Sequence, residues 1–361
     1  MSRIFNFSAG PCTLPLSALE SAAAEFVDYQ GAGMSLIEMS HRSKEYDAVH
    51  EEALALFREL LNVPESHKIL FIGGGATLQF TMLAMNFLHG GKSCDFTLTG
   101  SWAKKAYADA KKIGNVNVLY DGKDASYLEL PDPSTLKVNA DAEFLHMTSN
   151  ETIGGIEWHS WPETGDVPLI CDMSSDIMSR EIPVEKFGMI YAGAQKNLGP
   201  AGVGIVIIRD DMLEKCPDEL PAFLNYKTHA DANSLYHTPP VFCIYMIGKV
   251  LAWVKEQGGL PAMDKLAQER SDIIYQAIEN SDGYYRSPVP AASRSRMNIV
   301  WRLPSEDLEK KFIAEADGKG FSGLKGHRSV GGCRASVYNA MPVEGVQALS
   351  DFMNAFQSNN A

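Results

Sequence analysis

An α/β fold, a large domain built on a mainly parallel seven-stranded sheet with a smaller α+β domain beside it, is what this sequence predicts. Two observations carry the prediction. Between residues 68 and 208, short apolar runs alternate with helix-patterned segments, the pattern of parallel strands covered by helices. After Pro240 the texture changes to long helices with few strands between them, which reads as α+β.

The elements follow in order. Tyr46, Val49, Ala53, Leu56, Phe57, Leu60 and Leu61 repeat at helical spacing behind Ser43, a candidate N-cap. Strands are expected at 68–72, 93–99, 116–120, 143–148, 169–172, 189–192 and 203–208, with helices at 77–88 and 103–113. The polar, Pro-containing stretch from Asp121 to Ala142 reads as a surface excursion. Helices at 241–257, 260–279, 305–318 and 342–356 follow, with strands at 297–303 and 334–338. The expected division is a large domain over 16–257 and a small domain made of 1–15 with 258–361.

Composition narrows the function. The 361 residues carry a net charge of −13, which argues against a nucleic-acid surface. There is no run of 18 apolar residues, so no membrane span is expected. The first eight residues lack the apolar core of a signal peptide. The six cysteines are scattered without a C-x-x-C pair, so neither a metal site nor a redox motif is indicated. A reduced, cytoplasmic protein is expected. If its ligands are anions, the cations that bind them must be gathered locally.

Lys196 lies on a turn of small residues, Ala192 to Gly202, between two apolar strands. An ammonium held there loses hydration and its proton affinity falls, the condition for a lysine that forms Schiff bases. Asp172 ends another apolar strand. Together they suit pyridoxal 5'-phosphate (PLP), lysine to the aldehyde and aspartate to the pyridine nitrogen. An isolated lysine on a turn is more often an ion-paired structural residue; the neighbours change that reading. Gly73-Gly74-Gly75 joins a strand to a helix whose free N–H groups could hold a phosphate. Trp102 opens another helix after a strand and could stack on a flat ring. Thr152 follows a strand and could donate into the same crevice. Each of these has a bland alternative in packing or turn formation. Two His-Arg dipeptides, His41-Arg42 and His327-Arg328, and Arg334 beside two glycines supply cations suited to carboxylate and phosphate.

These residues stand in an ordered set of motifs. It runs through Asn6-Phe7-Ser8-Ala9-Gly10-Pro11, Ser40-His41-Arg42, the Gly73 turn and Asn150-Glu151-Thr152. It continues through Tyr191 to Gly202, Thr238-Pro239-Pro240, Lys325 to Arg328 and Arg334 to Ala340. From end to end the chain resembles the PLP-dependent class-V aminotransferases. The resemblance implies the type I fold of PLP-dependent transferases and reversible amino transfer from L-glutamate to 3-phosphonooxypyruvate. The resemblance places that reaction in serine biosynthesis, and some bacterial relatives also aminate a four-carbon phosphorylated analogue for pyridoxine biosynthesis. It implies that Lys196 forms the Schiff base and moves the proton, and that Asp172 keeps the ring nitrogen protonated. By the same resemblance Trp102 would stack on the ring, Thr152 would lie by its phenolic oxygen, and Ala76, Thr77 and Gln195 would bind the cofactor phosphate. His237 and Thr238 reach that phosphate from the partner subunit, which requires a homodimer with shared sites. Arg334 holds the substrate α-carboxylate; His41, Arg42, His327 and Arg328 face the distal anionic group. His237 stands where many relatives have asparagine, and Thr77 where some have arginine. Two other readings compete: a related PLP lyase or desulfurase with Cys333 as nucleophile, and a dehydrogenase or binding protein on an α/β scaffold. The absence of G-x-G-x-x-G weighs against the dehydrogenase.

Overall fold

The computed structural model describes residues 3–361; Met1 and Ser2, counted in the expected small domain, lie outside the described residues. Seven strands form the main sheet: β1 (His67–Gly73), β2 (Ser93–Leu98), β3 (Asn115–Asp121), β4 (Leu145–Thr148), β5 (Leu169–Asp172), β6 (Phe187–Gly193) and β7 (Val203–Arg209). Their order across the sheet is β1-β7-β6-β5-β4-β2-β3. Only β7 runs against the others. The carboxyl ends of β1, β2, β4, β5 and β6 therefore open on the same edge of the sheet, where a crevice forms.

Alternation along the strands explains why both faces are covered. In β1, Ile69 and Phe71 join the core on one face while Leu70 and Ile72 join the core on the other. The long helices are α1 (Leu16–Glu25), α2 (Lys44–Leu60), α3 (Gly75–Phe87), α4 (Ser101–Ala110), α5 (Val241–Glu256), α6 (Gly259–Glu279), α7 (Glu306–Gly318) and α8 (Val343–Asn360). Ser43 caps α2 by accepting the Tyr46 N–H at 3.2 Å. Although α5 follows the change in texture at Pro240, it packs on α2 and shares its core. A separate apolar cluster joins Phe7 to residues of α6, α7 and α8. No helix among the described residues is long and apolar enough to cross a membrane.

Boundaries differ from the sequence expectation where charge or turn geometry intervenes. The helix expected over 103–113 starts earlier, at Ser101, and ends at Ala110. The strands expected over 297–303 and 334–338 are Asn298–Trp301 and Cys333–Ser336, paired antiparallel. The short parallel pair of Phe5–Asn6 with Phe321–Ser322 and helix α1 carried no sequence signal strong enough to read. The stretch from Asp121 to Ala142 holds two short helical turns, Gly122–Ala125 and Pro133–Thr135.

Candidate active site

The crevice is a cavity of about 520 Å³, within the range of small-molecule sites. Ala76, Thr77, Trp102, Thr152, Asp172, Gln195, Lys196, His327 and Arg334 all line it. The turn between β6 and β7 carries Lys196, and its Nζ donates to Thr152 Oγ1 at 2.7 Å. Burial lowers the Lys196 ammonium to a pKa of about 8, against the pull of Asp172, Glu151 and Asp176. Asp172 ends β5, where Ser174 donates both its backbone N–H (2.9 Å) and its hydroxyl (2.6 Å) to Oδ1. Burial raises this carboxyl, and the Ser174 bonds and Lys196 oppose the rise. The Lys196 ammonium lies 5.6 Å from the Trp102 ring centroid.

At the far end of the cavity, α3 starts on Gly74 in the left-handed region (φ 94°) with no side-chain cap. Its first N–H groups are open to an anion. A Cβ on Gly193 would stand 2.9 Å from Gln195 Oε1 and 3.5 Å from the Ala76 nitrogen. The glycine thus lets the Gln195 amide lie against the start of α3. Arg334 Nη1 donates to the Thr152 carbonyl at 3.2 Å. Its Nε is buried without a partner, as are Thr148 Oγ1 and Asn150 Oδ1, both on residues that line the cavity.

His41, Arg42, His237, Thr238 and Arg328 do not line this cavity. Arg42, Thr238 and Arg328 are exposed. His237 lies beside Gly73 of its own chain, its Nε2 3.9 Å from where a Cβ there would stand. Burial and the nearby His41 lower its pKa. His41 Nε2 and His237 Nδ1 are both buried without a partner. His327 is lowered by burial and by Arg334, Arg328 and Lys105.

Sequence reading missed several neighbours of the site. Lys105 lies with its ammonium 4.1 Å from the Trp102 ring centroid; a spacing of three on a helix could have found it. Gly10 (φ 130°) closes over the cavity, so that a Cβ there would meet Lys196 Cγ at 3.2 Å. Cys12 donates its thiol to the Lys196 carbonyl at 2.8 Å. Cys333, the expected nucleophile of a desulfurase, is buried within a strand, and burial pushes its thiol far up. A mobile, ionisable cysteine is what that chemistry needs, so this reading is not favoured.

The sequence model of the Aminotransferase class-V family matches residues 4–349. The chain belongs to the class-V aminotransferases. Its full-length relatives narrow this further. It is 52% identical over 355 residues to the phosphoserine aminotransferase of Lysinibacillus sphaericus, covering 98% of each chain. The solved phosphoserine aminotransferase of Bacillus circulans subsp. alkalophilus superposes with a TM-score of 0.98 at 51% identity, covering 99% of each. The PLP-bound phosphoserine aminotransferase of Trichomonas vaginalis gives 0.92 at 41% identity, covering 98% of this chain and all of that one (100%).

Proposed function

We propose that this chain is a PLP-dependent phosphoserine aminotransferase. It passes the amino group of L-glutamate to 3-phosphonooxypyruvate and releases 2-oxoglutarate and O-phospho-L-serine. The observation that carries the reading is a buried lysine with a depressed pKa of about 8, in one cavity with a strand-end carboxylate and an uncapped helix N-terminus. The residues present fit the cofactor. The bonds on Asp172 fall on Oδ1 and leave Oδ2 for a ring nitrogen. The start of α3 with Ala76, Thr77 and Gln195 suits a phosphate, and the indole of Trp102 suits a flat ring. Bound there, PLP supplies an electron sink for the carbon that exchanges its amino group.

The chain's own residues divide the remaining work. Lys196 Nζ, held by Thr152, would hold the cofactor through its aldehyde carbon, and as a free amine it would carry the proton to and from the substrate Cα. Asp172 keeps the ring nitrogen protonated. Arg334, with Nη1 engaged by the Thr152 carbonyl, leaves its unpaired Nε side for the substrate α-carboxylate, the side of the guanidinium that forms a fork for two oxygens. His41, Arg42, His327 and Arg328 face the distal phosphate or γ-carboxylate, both anions. His237 and Thr238 complete the phosphate site of a second copy, so the active form is a homodimer. Exposed apolar side chains support it, among them Tyr236 next to His237: Val27 is 80% exposed, Ile37 53% and Tyr236 48%. The separate core around Phe7, α6, α7 and α8 supports a small domain of 1–15 with 258–361 beside a large domain over 16–257. Six unpaired cysteines suit a reducing cytoplasm.

The test is direct. PLP added to the purified protein should give a visible chromophore, and borohydride should fix a pyridoxyl group on the peptide that carries Lys196. Glutamate with 3-phosphonooxypyruvate should then yield O-phospho-L-serine. A protein that stays colourless with PLP and transfers no amino group overturns the reading. Running the four-carbon phosphorylated acceptor in parallel measures whether it too is a substrate.

A further inference from the structure

We propose that Glu151 is a positioning residue of the cavity: its carboxylate caps helix α4 from a separate segment and locks the Trp102 end of that helix to Thr152 and Lys196. Helix α4 has no cap of its own, because Gly100 stands at the N-cap without a side chain. Glu151 Oε2 accepts the Trp102 N–H at 3.1 Å, and Oε1 accepts the Ala103 N–H at 2.9 Å. Both oxygens accept, as an ionised carboxylate does, and both bonds fall on the positive end of a helix. The fit is tight. A Cβ on Gly100 would collide with the carboxylate, 2.6 Å from Oε2. Gly100 has an extended φ of 174°, so space, not backbone strain, requires glycine there.

Glu151 is 1% exposed. The next residue, Thr152, accepts the Lys196 ammonium. Two adjacent residues thus hold the tryptophan and the lysine in one rigid relation. A shift of α4 tilts the indole against Lys196, and loss of the carboxylate removes one of the anions that favour the Lys196 ammonium. The titratable groups facing Glu151 are Lys196, Asp172 and Tyr191. Burial raises Glu151 to about 7, with the two N–H bonds and Lys196 opposing.

The inference rests on the reading of Lys196 as the cofactor lysine, and two variants separate the two ideas. Glu151→Gln keeps the shape and removes the charge. Gly100→Ala keeps the charge and drives the carboxylate off the amides. In protein freed of PLP, competitive acetylation across pH measures the midpoint of Lys196. Glu151→Gln should lower it from about 8 by roughly one unit, the usual effect of one nearby charge. Hydrogen exchange at the first turn of α4 should accelerate about tenfold in both variants, the loss of one charge-assisted bond. A cap serving the fold alone would lower the melting temperature and leave the Lys196 midpoint unmoved. If Glu151→Gln does not fold, exchange together with the Lys196 midpoint in Gly100→Ala decides, and an unmoved midpoint there overturns the proposal. Unchanged exchange in both variants, or an unmoved Lys196 midpoint in Glu151→Gln, overturns the proposal. Wild-type protein that binds PLP without a bond to Lys196 overturns the reading of the site instead.

Discussion

At the floor of the cavity, Lys196, Asp172 and Thr152 are 8%, 4% and 3% exposed and are bonded within their own chain. Outside its lining, at what would be the rim of the proposed shared site, Arg42, Thr238 and Arg328 are exposed, while His41 and His237 each bury a ring nitrogen without a partner. The floor is set by one chain. Burial moves its proton affinities, and hydrogen bonds hold its geometry. The rim holds cations whose partners would be a ligand and, in the proposed dimer, a second copy. Changes at the floor should therefore cost rate, and changes at the rim should cost selectivity or cofactor retention.

The largest expected effect is at the floor. Lys196→Ala should lower the rate of each half-reaction by ~10²–10⁴-fold, the range of acid–base catalysis alone. It should still bind PLP, without a borohydride-trappable bond. Near-normal turnover in single-turnover assays would take the proton-transfer role from Lys196.

The same variant probes the rim. Mixed with a disabling Thr238 variant, it should regain activity on subunit exchange, because one site then carries both lesions and the other neither. By symmetry the heterodimer reaches at most about half of the wild-type rate. Proven exchange without recovery removes the shared site.

Asp172→Asn should cost about 3–5 kcal/mol in the chemical step, the penalty for breaking a buried charge pair. Melting temperature and PLP-binding titrations should change far less than kcat. A loss of only a few-fold contradicts the contact with the ring nitrogen.

Arg334→Lys lies between floor and rim. Lysine keeps the charge but not the fork, so kcat/KM should fall by about 1.5–3 kcal/mol. Glutamate and O-phospho-L-serine share an α-carboxylate, so both half-reactions should suffer. An effect on only one amino donor would assign this arginine to the distal group.

His237→Asn should be the smallest change, about 0.5–1.5 kcal/mol of PLP retention. Its sign depends on pH. Burial and His41 hold His237 below the usual histidine value of 6.5, so near neutrality the imidazole is uncharged and resembles the amide. As pH falls through that lowered value, below 6.5, the wild-type ring becomes an imidazolium and gains attraction for phosphate that the variant lacks. Dialysis of PLP-loaded protein at a series of pH values measures this. A wild-type to variant ratio independent of pH would separate His237 from the phosphate.

Some of this was legible in the residues alone. Apolar runs ending in Asp172 or leading into the Lys196 turn mark buried strand ends, because burial needs a continuous apolar strand when both faces are covered. Period and turn chemistry therefore located the seven strands and set Asp172 and Lys196 at or next to strand ends. What periodicity cannot carry is the order of strands, and with it every contact across the crevice. Glu151 meets the Trp102 amide 49 residues away, and Gly10 closes on Lys196. Neither pair has a local signature. Strand order β6-β5-β4-β2 brings the ends of four parallel strands side by side. The tertiary structure alone decided that the carboxylate following one strand end would cap the helix following another, because a side chain buried at the crevice must take its partner from whichever strand lies next to its own.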